Sequence, residues 1–171
     1  QARPTLAIIP TQLGRLATAG RVVLAPEGVS VPDRESVAIE LLSSSEARRL
    51  LEDVLRVSEP DDHVWQSILV EALRRITRWQ SQTNEEAWQG FWRRLRLAPA
   101  NIRKVFIETH RSEIRVRRRD GSWVTADSVL FPGGLVSDGD SSPNSKVLFD
   151  PDSHDSDRAS LVALGVVDVP A

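Results

Sequence analysis

The sequence predicts an α+β fold: two short β-hairpin/αβ units, forming an internal repeat, that flank a helical hairpin. Three observations carry this expectation. "GRLATAGRVVLAPEG" (14–28) returns as "GSWVTADSVLFPGG" (121–134). Amphipathic runs fill the stretch between the two copies. "EIRVRR" (113–118) alternates Ile114 and Val116 with Arg115 and Arg117, the period of a half-buried strand.

The repeat keeps one register. Gly14, Thr18, Ala19 and Val22 match Gly121, Thr125, Ala126 and Val129 at a constant spacing of 107 residues. After one inserted residue, Pro26 and Gly28 match Pro132 and Gly134. Leu16, Leu24 and Val29 match Trp123, Phe131 and Leu135 in apolar character. "AIELL" (38–42) precedes "EARRLLEDVLRV" (46–57), as "KVLFD" (146–150) precedes "DRASLVALGVVDVP" (157–170). These read as two versions of one αβ unit. Residues 1–171 are expected to form a single compact unit, with a first repeat over 1–60, a helical insert over 61–108 and a second repeat over 109–171.

In the first copy, "LAIIP" is a strand, Gly14 a turn, and 45–56 an amphipathic helix. That helix places Ala47, Leu50, Leu51, Val54 and Leu55 on one face, with Ser44 or Ser45 as its cap. In the insert, 61–80 carries Val64, Trp65, Ile68, Leu69, Ala72, Leu73, Ile76 and Trp79 on one stripe. Asp61 and Asp62 suit its N-terminus. Residues 85–97 align Trp88, Phe91, Trp92 and Leu95, and "APANIRKVFIE" adds a further helix. In the second copy, Asp120-Gly121 suits a tight hairpin turn and "SWV" is the returning strand. The Thr125 hydroxyl is placed to cap the short helical turn "ADSV". "KVLFD" reads as a strand, and Gly165 closes the last helix as its C′ residue.

Composition bounds the function. Hydrophobic residues make up 40%, charged residues 27%, and the net charge is −2. These are globular values without a global basic field for nucleic acid or anionic lipid. Cysteine is absent, which excludes disulfides, thiolate metal sites and cysteine nucleophiles. No apolar run approaches the ~20 residues that span a bilayer. Methionine is absent even at position 1, which reads as a piece excised or processed from a longer protein. Arginine outnumbers lysine 20 to 2, a bias of GC-rich bacterial coding.

Four tryptophans (65, 79, 88 and 92) sit on apolar helical stripes, which favours core packing over nucleobase stacking. Arg111, Arg115, Arg117, Arg118 and Arg119 form a basic strand region that could contact phosphates. The competing reading is that the alternating arginines form the solvated face of a strand, or pair with the acidic loops. His154 with Asp150 and Asp152 is a weak metal candidate; helix capping and a solvated turn are the plainer use of those residues. No G-x-S-x-G elbow, Walker A loop or G-x-G-x-x-G exists, so no catalytic residue and no cofactor are expected.

From residue 113 onward, "IRVRRRDGSWVTADSVLFPGGLV…VLFDPDSHDSDRASLVALGVVDVP" resembles segments of large bacterial sacsin-like proteins. In those, a charged strand, "DGSW", an "LFPG"-type turn and a closing "LGV.D.P" recur downstream of an Hsp90/histidine-kinase-type ATP-binding domain. The resemblance covers about sixty residues well and the first repeat faintly. The ATP site of that family needs a helix-borne Asn followed by an Asp-x-Gly-x-Gly segment, and this sequence has no such segment, so no ATP-binding residue is carried over. The resemblance implies a non-enzymatic accessory region of a multidomain ATPase-associated protein, in the cytoplasm, off the membrane. Its partner would be another protein or other domains of the parent chain. The alternative is a nucleic-acid-contacting module that uses the arginine-rich strand, and a hydrolase or metal site around His154 stands third.

Overall fold

The computed structural model describes residues 6–78, 85–131 and 154–168. It has the expected α+β character, with small sheets and helices both present. The chain divides into two compact units, Gln1–Val70 and Glu71–Ala171. That seam falls inside a helix and coincides with neither 60/61 nor 108/109.

In the first unit, β1 (Ile9–Pro10) pairs antiparallel with β2 (Leu16–Ala17), Ile9 opposite Ala17 and Pro10 opposite Leu16. The Gly14 N–H donates to Thr11 O and the Thr11 N–H to Arg15 O, both at 2.9 Å. Gly14 has φ 74°. This is a three-residue hairpin loop, a turn followed by a left-handed residue that only glycine adopts without strain. A 3₁₀ turn (Ala19–Arg21) leads into β3 (Val22–Val23), which runs parallel to β4 (Glu35–Ser36). Two short helices follow, α1 (Ile39–Leu42) and α2 (Ser45–Arg49), and α2 continues as a π-helical turn over Leu50–Val54. Ser44 is the cap, its Oγ accepting the Ala47 N–H. The core gathers Ile9, Ala17, Ala19, Val22, Leu24, Val37, Leu51 and Val57. The expected helical stripe is only partly buried: Leu51 is inside, whereas Leu50 and Val54 are exposed. The wider π turn adds a residue to the turn and breaks the 3.6-residue spacing on which that stripe depends. Helix α3 (Asp62–Arg78) then begins, with Asp61 Oδ1 accepting the Val64 N–H at 2.8 Å.

The second unit contains α4 (Glu85–Leu97) and α5 (Ala100–His110). Trp88, Phe91, Trp92, Leu95, Ile102, Phe106 and Ile107 are buried, as the stripe requires. Trp79 lies outside the described residues. Strand β5 (Arg115–Arg117) pairs antiparallel with β6 (Trp123–Thr125), a 3₁₀ turn (Ala126–Ser128) follows, and β7 (Leu130–Phe131) pairs parallel with β8 (Val167–Asp168). Helix α6 (His154–Leu164) precedes β8. The strand expected at "KVLFD" lies outside the described residues. The Thr125 hydroxyl does not cap the 3₁₀ turn; instead the Ser128 hydroxyl donates to Thr125 O at 2.8 Å.

The hairpins and 3₁₀ turns of the two units repeat one another in register and hydrogen bonding. In the second hairpin, the Gly121 N–H donates to Arg118 O and the Arg118 N–H to Ser122 O, at 2.9 and 2.8 Å. Gly121 has φ 85°. Val116 faces Val124 and Arg117 faces Trp123, the first hairpin's register moved by 107 residues. Both 3₁₀ turns fall at that same spacing, and both bury their first alanine. The ends of the units agree as well. A helix stops at a left-handed residue, Arg56 (φ 56°) or Gly165 (φ 109°). A buried valine follows, Val57 or Val166. Next, Leu24 bonds to Ser58, and Leu130 is the register partner of Val167. Arg48 pairs with Glu59, and Arg158 with Asp168. The extra residue of the π turn is visible in the count: the Val57 N–H reaches back to Leu51 O, whereas the Val166 N–H reaches back only to Leu161 O.

Arg56 and Gly165 occupy one structural position with opposite fitness for it. A β-carbon on Gly165 would meet the Arg111 guanidinium, which donates to Leu164 O, and its φ is strained for any L-residue. Gly165→Ala is expected to cost about 1–3 kcal/mol. Arg56→Gly removes left-handed strain of about 1–2 kcal/mol and adds chain entropy that offsets part of it, for a small net gain. Urea melts of both variants check the opposite signs.

Candidate functional site: the arginine strand and its helix

The five arginines of the basic region are placed by the second hairpin. Arg115 and Arg117 share one face of β5, because side chains alternate along a strand. Trp123 joins them as the cross-strand partner of Arg117. Helix α4 covers this face. The Trp88 and Trp123 rings stack with centroids 5.8 Å apart and planes 17° apart. Arg117 Nη1 lies 3.0 Å from Glu85 Oε1, and the Trp92 indole donates to Arg115 O at 2.9 Å. Arg111 lies off the strand, its Nε donating to Leu164 O at 2.9 Å. Arg118 Nε donates to the Ser122 hydroxyl, and its guanidinium lies 3.4 Å from Asp120. Arg119 is exposed beside the turn and also interacts. Asp120 accepts from the Ser122 hydroxyl and backbone N–H, which hold its carboxyl below the usual range. The candidate phosphate-binding residues therefore do not form one array. Arg115 and Arg117 share a face, while Arg111 and Arg118 serve separate internal contacts.

A cleft of about 770 Å³ opens beside the stacked tryptophans, lined among others by Thr77, Trp88, Glu113, Arg115, Trp123 and Ser128. Of the five arginines, Arg115 alone lines it. At its rim His110 Nδ1 lies 2.9 Å from Glu113 Oε1, with its ring against Phe106. The arrangement offers one cation beside an aromatic wall. That can hold an anion or a flat group.

Of the metal candidates, Asp150, Asp152 and the side chain of His154 lie outside the described residues; the backbone of His154 opens α6. Among the described residues, no group of three or more His, Asp or Glu is arranged to hold a metal ion. No described helix is long and apolar enough to cross a membrane. Compared with protein-family models, curated proteins and solved structures, the chain matches none significantly.

One pairing escaped the sequence reading. Asp157 is buried and takes both Arg96 Nε and Nη2 from α4, at 2.8–2.9 Å. The signal was present in the spacing: Asp157 shares the i, i+3, i+4, i+7 stripe with Ser160, Leu161 and Leu164, all buried. A carboxylate on an apolar stripe demands a partner.

Proposed function

We propose that this chain is a non-catalytic scaffold or protein-interaction module of a large multidomain bacterial protein of the sacsin-like kind, working in the cytoplasm, with the parent's chemistry carried elsewhere. The observation that supports this most is the duplicated hairpin and 3₁₀ turn. What the two copies share is a glycine turn, a buried alanine and valine, and a helix-end ion pair. All of these are folding positions. A sequence that invests its shared residues in a repeated building block resembles repeat scaffolds, whose surfaces, not pockets, make contacts.

The second reading, a nucleic-acid contact, draws on Arg115 beside the Trp88–Trp123 wall, a cation next to an aromatic platform. Anisotropy of fluorescein-labelled single-stranded and duplex DNA at 50 and 200 mM salt separates the two. The scaffold reading expects no saturable binding at either salt. Binding that weakens with salt, and is lost in Arg115→Glu with Arg119→Glu, would replace it with the second reading. Arg117 stays in place in this test, because its reversal would set two carboxylates together at Glu85.

A further inference from the structure

The duplication gives each residue of the first hairpin a counterpart whose surroundings are known. In the second hairpin, the face opposite the buried Val116 is met by α4, through Glu85 on Arg117 and Trp88 on Trp123. The same face of the first hairpin carries Ile8, Pro10 and Leu16, the counterparts of Arg115, Arg117 and Trp123. Ile8 is 53% and Leu16 59% exposed, and Leu6 and Leu13 beside them are each 70% exposed. Turned inward, Ile9 and Ala17 are buried. The first module is thus apolar on both faces of its hairpin. A two-faced apolar hairpin is the pattern of a strand pair packed on both sides, and water is a poor partner for the second side.

We propose that this outer face is a docking site for an amphipathic α-helix of a partner protein, seated as α4 is seated on the second hairpin. The proposal rests on the interaction-module reading and names its surface and the chemistry of its partner. Two features define the helix. It carries large aromatic or aliphatic side chains three to four residues apart, as Trp88 and Trp92 are spaced, so that both reach one face. At the place where α4 offers Glu85 to Arg117, the partner presents an apolar residue, because Pro10 stands in the arginine's position. The absence of charge from Ile8, Pro10 and Leu16 selects against the acidic start of α4 itself.

The test uses the full chain and a fluorescein-labelled peptide of residues 85–97 in which the two N-terminal glutamates are replaced by leucine. Anisotropy is expected to show saturable binding. Ile8→Glu with Leu16→Glu should weaken it at least tenfold, as should replacing both peptide tryptophans by alanine. Both glutamate substitutions fall at exposed positions, and circular dichroism of the variant verifies the fold. Nuclear magnetic resonance shifts should concentrate at residues 6–18. No saturable binding, binding within twofold of wild type in the double variant, or shifts centred on 115–125 would overturn the proposal. So would sedimentation showing a dimer that the double variant abolishes, since the face would then belong to a second copy. Failure of the peptide leaves the scaffold reading standing. DNA binding through Arg115 removes that reading whatever the peptide does.

Discussion

Replacing Phe91 by alanine is expected to destabilise the chain by about 3–5 kcal/mol, the range for emptying a fully buried phenylalanine site. Phe91 is 0% exposed on α4. Its ring meets Trp88 edge-on at 5.8 Å, Trp92 edge-on at 6.4 Å and Phe106 at 6.1 Å. It is therefore the ring on which three aromatic neighbours converge. Rigid indoles cannot collapse into a phenyl-sized void as a flexible methionine could, so most of the cavity is expected to persist. Trp88 also holds Trp123 of the hairpin, so the loss should reach the sheet. Urea unfolding followed by tryptophan fluorescence measures the cost, and near-ultraviolet circular dichroism should lose intensity even before unfolding. Val105→Ala on α5 serves as the control. Val105 is 50% exposed and its truncation should stay within about 0.5 kcal/mol. A Phe91→Ala midpoint indistinguishable from that control would contradict the aromatic core.

The same aromatic stripe shows how far the sequence could be read. Helices α4 and α5 and the second hairpin were legible because their period is strong: Trp88, Phe91, Trp92 and Leu95 repeat at helical spacing, and Ile114 and Val116 alternate with arginine. The duplication was legible from Gly14 and Gly121, since a left-handed turn position tolerates little else. The parallel pairs β3–β4 and β7–β8 were not, because a strand of two residues has no period to detect. Nor was the π turn at Leu50–Val54, where one extra residue turns Leu50 and Val54 outward. The candidate site divides in the same way. The arginines are conspicuous by composition, but their use depends on partners remote in sequence: Glu85 for Arg117 and the Leu164 carbonyl for Arg111. Of the acidic loop expected to pair with the strand arginines, only the Asp157 side chain lies among the described residues. Asp157 belongs to Arg96, a helix residue.

That pair carries the second large effect, and its two halves should differ. Asp157 has a side chain only 5% exposed, whereas the Arg96 side chain is 42% exposed. Arg96→Ala strands a carboxylate in the interior with its donors removed. The expected cost is about 3–5 kcal/mol, the range for one partner of a buried ion pair left alone. Asp157→Ala strands a guanidinium that already reaches water and can rehydrate, so about 1–2 kcal/mol is expected, the worth of charge-assisted hydrogen bonds. Removing both charges with apolar replacements, Arg96→Leu with Asp157→Leu, should recover most of the loss, because desolvation consumes much of what such a pair contributes. Urea melts of the two single variants and the double variant close the cycle. Equal costs for the two single changes would mean that Asp157 is not sequestered as described. A double variant no more stable than Arg96→Ala would mean that the loss comes from packing of the arginine stem and not from the orphaned charge. The pair joins α4 to α6 across 61 residues of sequence, so its loss should free the last helix while leaving the second hairpin on its tryptophan stack. Hydrogen exchange along α6, compared with that along β5, measures that separation directly.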